Sequence, residues 1–402
     1  MDILIVTDSV PFPPYNGKEL PMAGIFEHLG NTHTIHLLIL NTGSSFKKEK
    51  LTNLPLTIHY IGEVPAFKKS KRKILIDALS GYFFSSFTFS IDAIQKVVGN
   101  HKYNFIWVSP VIYYVFANYC IKKKLRFFKH IALGLNDSKT YLYRDSLNEM
   151  FCSKIFKMRY VTDWLKSFLI ARAEKKYLAL ANVVHVQTEN EKNKVQKLLS
   201  SSVVPEIVVA PNGVKEELFA CSYKGIDSNK ILYMTHLDGG RLQESEWFIK
   251  KIWCIIKKKI PNAKLLIVGK PPQKQISYIH MDESIIVNGY ANNLQNLFDS
   301  VRLAVVPTFH GTGLINRILD AMAAGIPVVT TPQAARTFAN IRHRYHLLFV
   351  QTPSAFADEV IKLYNNRNDR QNIGANGKKF AKDFPTWQQS AHEIENAMLH
   401  FL

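Results

Sequence analysis

The chain is poor in several things, and each shortage excludes something. It has four cysteines in 402 residues, Cys120, Cys152, Cys221 and Cys254. None stands at a Cys-x-x-Cys spacing, so no cysteine metal or redox motif is present. Four scattered thiols fit a reducing compartment. Long apolar runs are missing too: none reaches the roughly 18 residues that a membrane-spanning helix needs. The opening MDILIVTDSV lacks a basic leader and a small-residue cleavage site, and is expected not to be a signal peptide. Cytoplasmic residence is the expectation. Acidic residues are scarce, 32 against 51 basic ones, for a formal charge of +19. Residues 1–200 carry 28 Lys+Arg against 15 Asp+Glu, and residues 201–402 carry 23 against 17. The first half is therefore expected to face something anionic. Charge alone does not make a nucleic-acid binder, and no recognised module accompanies it. No GxGxxG follows a first strand, which excludes the usual dinucleotide fingerprint.

What is present is a strand–helix alternation with glycine turns. Strands are expected at Ile3–Val6, Thr34–Leu40, Leu56–Ile61, Phe105–Ser109, His130–Leu135, Val183–Gln187 and Ile207–Ala210. The pattern restarts near residue 215 with Ile231–Thr235, Leu265–Val268, Ile285–Val287, Arg302–Pro307 and Leu347–Val350. Such alternation predicts parallel sheets with right-handed crossovers, in two α/β halves. Gly239-Gly240-Arg241 reads as a glycine loop before a helix over Glu244–Lys258. Helices are expected over Ser354–Asn365 and Trp387–Leu399. Phe67–Ser90 breaks the rhythm. It opens on Lys68, Lys69, Lys71, Arg72 and Lys73 and continues through Tyr82, Phe83, Phe84, Phe87 and Phe89. That pattern fits an anionic membrane surface, or a helix with a solvated basic start and a buried aromatic end.

The most informative stretch is His310–Thr331, HGTGLINRILDAMAAGIPVVTT. A glycine loop opens a helix whose apolar positions are Leu314, Ile318, Leu319, Met322 and Ala323. Gly325 and Pro327 end it. Unpaired N–H groups and the positive end of a helix dipole suit a phosphate. Asp320, within that helix, suits ribose hydroxyls. A plain βαβ crossover with a surface Asp is the alternative on this stretch alone.

In order, the Pro13–Gly17 loop, Pro211-Asn212-Gly213-Val214, the strand end at Gly269, Asn288-Gly289-Tyr290 and GTGLINRILDAMAAGIPVV resemble glycosyltransferase family 4. The last piece looks like the branch with a GTG-type loop. The resemblance implies a GT-B fold, two Rossmann-like domains with parallel sheets facing across a cleft. Domains would run 1–214 (acceptor side) and 215–384 (nucleotide sugar), with a C-terminal helix over 385–402 returning toward the first. It implies a retaining, metal-independent transferase without a cofactor. The donor would be a nucleoside diphosphate sugar. The acceptor would be a saccharide or lipid-linked saccharide hydroxyl, in bacterial cell-surface polysaccharide or lipopolysaccharide assembly at the inner face of the membrane.

Carried over residue by residue, Gly313 and Leu314 would receive the diphosphate, with Arg317, Arg241 and Lys270 as candidate cations and Gly240 beside them. Gly289 and Tyr290 resemble the turn that meets the base. Gly17 matches the glycine near donor phosphate and acceptor. Asp320 stands where the family has the second Glu of an E-x7-E pattern, one methylene shorter; Thr312 stands at the first acid. No His occupies the usual N-domain place. Asn136-Asp137-Ser138 is there instead, with Asp137 either a helix cap or an acceptor base. His130, His185 and His310 read as core or loop residues. Two further readings stand beside the transferase, a GT-B sugar-nucleotide epimerase and a catalytically degenerate binding or scaffold protein.

Overall fold

The computed structural model describes the chain except residues 15–18, 42–47, 73, 75, 77–86, 110–113, 136–137, 139, 142–143, 145–157, 200–203, 224–226, 238, 273–275, 277–278, 280, 292 and 309–313. Gly17, Asp137, Thr312, Gly313, His310 and Lys73 therefore lie outside the described residues. The chain forms two compact units, Met1–Gly213 with Trp387–Leu402, and Val214–Thr386.

The first unit is built on β1 (Asp2–Thr7), β2 (Thr34–Asn41), β3 (Ile58–Lys68), β4 (Phe87–Phe89), β5 (Tyr103–Val108), β6 (Phe128–Gly134), β7 (Val183–Val186) and β8 (Glu206–Val209). Their order is β4-β3-β2-β1-β5-β6-β7-β8. Strand alternation sends Leu4, Val6, Leu38, Leu40, Ile106 and Val108 into one core, and Ile3, Ile5, Ile35, Leu37, Phe105 and Trp107 into the other. Both faces are covered, which is why these strands read as continuous apolar runs.

The parallel-sheet expectation fails at one edge. Strand β4 pairs antiparallel with β3, through Ala66 opposite Phe89. Phe89 is buried and meets Phe116 and Tyr119 edge-on. That aromatic belongs to the core, whereas Lys68, Lys71 and Arg72 are exposed and Lys69 is half-buried.

The second unit carries β9 (Lys230–Met234), β10 (Lys264–Val268), β11 (Ile285–Val287), β12 (Leu303–Val306), β13 (Val328–Thr330) and β14 (Leu348–Phe349). All pair in parallel, in the order β11-β10-β9-β12-β13-β14. The order reverses between β9 and β12, so the crevice for a ligand lies beyond their carboxyl ends.

Three helical readings need correction. Gly239-Gly240-Arg241 is the first turn of a helix, Gly239–Phe248, and not a loop. The helix after β12 starts at Asn316 rather than Leu314. Arg367–Lys382 is a helix that its polar, glycine-bearing sequence concealed. Its glycine has a packing reason: a Cβ on Gly374 would lie 2.2 Å from the Gly325 carbonyl oxygen. Gly325 itself adopts φ +78 and ends the helix Asn316–Ala323. Its N–H donates to Met322 O, and Ile326 N–H to Ala321 O, a Schellman-type stop.

The helix Trp387–Leu399 packs within the first unit, against Glu19–Leu29. Gly24 makes that approach possible, since a Cβ there would stand 2.3 Å from the Trp387 ring. Gly24→Ala is expected to destabilise the protein by about 1–3 kcal/mol in urea unfolding, as overpacking does. The cost should shrink in a Trp387→Ala background. An equal cost in both backgrounds would refute this contact as its cause.

Candidate active site

The site is assembled at the carboxyl ends of the second unit's strands. Arg317 lies in the first turn of Asn316–Ala323, directly over the point where strand order reverses. One guanidinium nitrogen donates to the Met234 carbonyl at the end of β9, at 2.6 Å, and another donates to Thr308 Oγ1 just past β12, at 2.9 Å. Burial pushes Arg317 down to about 10, and the nearby Arg241 lowers it further by repulsion. At neutral pH it remains charged. A guanidinium has five N–H donors, so these two bonds leave donors for a ligand.

Arg241 is carried in from the helix Gly239–Phe248. A buried relay fixes that first turn over β9. Ser245 Oγ donates to the Arg241 carbonyl at 2.9 Å, so Tyr233, whose hydroxyl is 3.1 Å from Ser245 Oγ, is the donor to it. Two like charges thus converge at the switch point. An anion between them would relieve the repulsion.

Asp320 sits one turn further along the same helix. Burial pushes its carboxyl up to about 7; Lys215 opposes that shift and Glu217 adds to it. No hydrogen bond satisfies this carboxylate among the described residues. Ile315, the residue before the helix, offers no side-chain cap to the first N–H groups. Leu314, beside it, is buried at 8% exposure. Two guanidinium groups and a carboxylate thus stand together at this end of the sheet.

A second group lies past β9, β10 and β11. Gly269 has φ +140, and a Cβ on it would meet Thr235 O at 2.1 Å. Only glycine fits there. Its N–H donates to the Gly289 carbonyl at 2.8 Å. The Lys270 N–H donates to His236 Nδ1 at 3.1 Å, which places the His236 proton on Nε2 in the neutral ring. Half-exposed Tyr290 has its ring 6.0 Å from that of His236. So Gly269, Lys270, Gly289 and Tyr290 come together, around a histidine the sequence reading did not single out. Its signal was position: His236 follows a strand end, as Gly269 and Gly289 do. Thr308 was missed as well. Its carbonyl accepts a hydrogen bond from Thr331 Oγ1, which holds the chain after β12 in place.

In the first unit, His185 is a core residue. It is 1% exposed, its Nε2–H donates to Ala210 O at 2.7 Å, and burial pushes it down to about 4. The chain after β6 is held by fully buried Glu174, which accepts from Ser138 Oγ at 2.9 Å and from Thr140 N–H at 3.0 Å. Glu174 had no local signal, being 36 residues from Ser138. Among the described residues no helix is long and apolar enough to cross a membrane.

Residues 228–366, which hold β9 to β14 and the helices Gly239–Phe248 and Asn316–Ala323, match the family model described as Glycosyl transferases group 1. Among curated proteins, the chain is 23% identical over 181 residues to an uncharacterized glycosyltransferase of Methanocaldococcus jannaschii, covering 42% of this chain and 44% of that protein. It is 22% identical over 256 residues to the capsular polysaccharide biosynthesis glycosyltransferase CapM of Staphylococcus aureus, covering 59% and 66%. The chain thus spans less than two thirds of either relative. Its structure is similar to the sucrose-phosphate synthase of Thermosynechococcus elongatus, with TM-score 0.67, 15% identity and 98% of each chain covered. It is also similar to S. aureus TarM, solved as a mutant with fondaparinux, alpha-GlcNAc-glycerol and UDP, with TM-score 0.67, 10% identity and 99% of each chain covered. The two α/β units have the GT-B fold, and the domain match and the relatives together support a transferase enzyme.

Proposed function

We propose that the protein is a retaining glycosyltransferase that moves a sugar from a nucleoside diphosphate sugar to an acceptor hydroxyl. The observation that carries this is the convergence of Arg317 and Arg241 at the switch point, one helical turn from an unsatisfied Asp320. The donor diphosphate would lie between the two guanidinium groups. Charge grows on it as the glycosidic bond breaks, and preorganised cations in a low-dielectric site stabilise that charge without reorganising. The Asp320 carboxylate would accept from the ribose hydroxyls. The base would meet Gly289, Tyr290 and His236. No metal is required in this reading, because Arg317 and Arg241 carry the positive charge.

The acceptor hydroxyl would attack on the face the diphosphate leaves, which retains anomeric configuration, with a diphosphate oxygen taking its proton. CapM suggests cell-surface polysaccharide assembly as the setting. An anionic acceptor or membrane surface would meet Lys68, Lys71 and Arg72 of the first unit, which are exposed, and half-buried Lys69. UDP is the first nucleotide to test, since TarM was solved with it.

Arg241→Met and Arg317→Met are each expected to lower kcat by about 100-fold, the usual effect of removing one transition-state donor. Steady-state kinetics with the donor identified by a thermal-shift screen over UDP, GDP, TDP and ADP sugars would measure this. Full activity in both variants would remove the diphosphate from this place. Product formed from donor without any acceptor would indicate an epimerase instead.

Asp320 predicts a pH signature. Its folded pKa, about 7, lies above the ordinary carboxylate value. The folded state therefore binds more protons than the unfolded state between the two values, and stability falls as pH rises through that window. Asp320→Asn should raise Tm more at pH 8 than at pH 5. Nucleotide affinity of the wild type should increase from pH 6 to pH 8 as the acceptor carboxylate forms, and Asp320→Asn should flatten that slope. A nucleotide affinity unchanged in Asp320→Asn would contradict the ribose assignment.

A further inference from the structure

A cluster at the other end of the first unit's sheet has no part in this chemistry. Asp2 opens β1, His36 is the third residue of β2, and His101 precedes β5 by two residues. Strand β1 lies between β2 and β5, so three separate stretches deliver these side chains to the amino end of the central strands. One ligand atom of each lies within 4.8 Å of the other two. His36 Nε2 is 3.9 Å and His101 Nε2 3.6 Å from Asp2 Oδ1. Both separations are too long for hydrogen bonds.

His36 is the group that needs explaining. Its side chain is only 14% exposed. Both ring nitrogens are buried without a hydrogen-bond partner among the described residues. A buried polar group left unsatisfied is uncommon and calls for a missing partner. Tyr103 walls the site, its ring 5.2 Å from His36 and 4.6 Å from His101. The Asp2 backbone is anchored, its N–H donating to Asn104 Oδ1 at 2.8 Å.

We propose that Asp2, His36 and His101 bind a divalent transition-metal ion of the zinc class, which ties β1, β2 and the chain entering β5 together. Two imidazoles and a carboxylate are a donor set for zinc, and water would complete the coordination. Zinc–ligand bonds of about 2.0–2.1 Å set tetrahedral ligands about 3.4 Å apart. The two separations from Asp2 Oδ1 exceed that by a few tenths of an ångström, and half-exposed Asp2 and His101 can rotate to close on an ion held by the more rigid His36. His59, on β3 opposite His36, has its ring 5.7 Å away and does not join the cluster. The donor site in the second unit shares none of these residues, so failure of either assignment leaves the other standing.

The test uses the full-length protein without a histidine tag, stripped with EDTA. Titration with Co2+ should produce visible ligand-field bands that saturate at one equivalent, and Zn2+ should displace the Co2+ and raise Tm. His36→Ala and His101→Gln should weaken binding by more than about 100-fold, beyond what loss of an outer-shell partner costs. His59→Ala should bind as the wild type does. His101 is exposed enough for its variant to fold, which far-UV circular dichroism would verify, so the assignment does not depend on His36→Ala being stable. Absence of Co2+ bands and of a Zn2+ shift at micromolar metal would overturn the proposal. So would wild-type affinity in His101→Gln.

Discussion

The second unit depends on how Arg317 is held. A buried guanidinium is expensive unless its donors find acceptors. Here the acceptors are neutral: a carbonyl at the end of β9 and a hydroxyl past β12. Neither cancels the charge. The side chain therefore braces the two strands at the switch point and leaves positive charge there, which the nearby Glu244 carboxylate offsets in part. Arg241, set nearby by the Tyr233–Ser245 relay, increases it. Reversal of strand order provides the crevice; the two arginines give it positive charge.

Asp320 completes the logic by what it does not do. Residues three apart on a helix share a face, and opposite charges at that spacing can pair. Arg317 and Asp320 have that spacing, yet no ion pair joins them. The cation turns to the strand ends and the carboxylate is left desolvated. Local rules that a chain could satisfy and does not are where function is expected. A ligand carrying a diphosphate and a diol would meet both demands at once.

Much of this was legible in the residues. Apolar runs such as ILIV and LAVV marked doubly covered strands, and Gly325 marked a helix stop. Arg317, Arg241, Asp320, Gly269 and Gly289 were all named, and the fold places each in the second unit at the carboxyl ends of its strands. What was hidden has a common physical cause. Gly239-Gly240 looked like a loop because glycine disfavours helices, but the Ser245–Arg241 bond and the packing over β9 override that preference. Arg367–Lys382 was assigned no element because glycine disfavours helices, and here Gly374 and Gly377 serve close contacts. β4 looked helical because edge pairing with β3 is not a local property. His236 and Thr308 had no motif, only a place at the end of a strand.

Two carboxylates, Glu174 and Asp320, separate structure from function more sharply than any motif. Glu174 is fully buried and accepts from Ser138 and Thr140; its demand is met inside the protein, so it holds the chain after β6 and needs nothing else. Asp320 is desolvated by its surroundings and has no such donors among the described residues. A sequence shows an acid in a helix in both cases. Glu174 is fully buried and Asp320 half-buried. The distinction is whether folding itself supplies the donors. Where it does, the acid belongs to the architecture. Where it does not, the acid is left open to a ligand's donors, which at Asp320 are, in the proposed reading, the ribose hydroxyls.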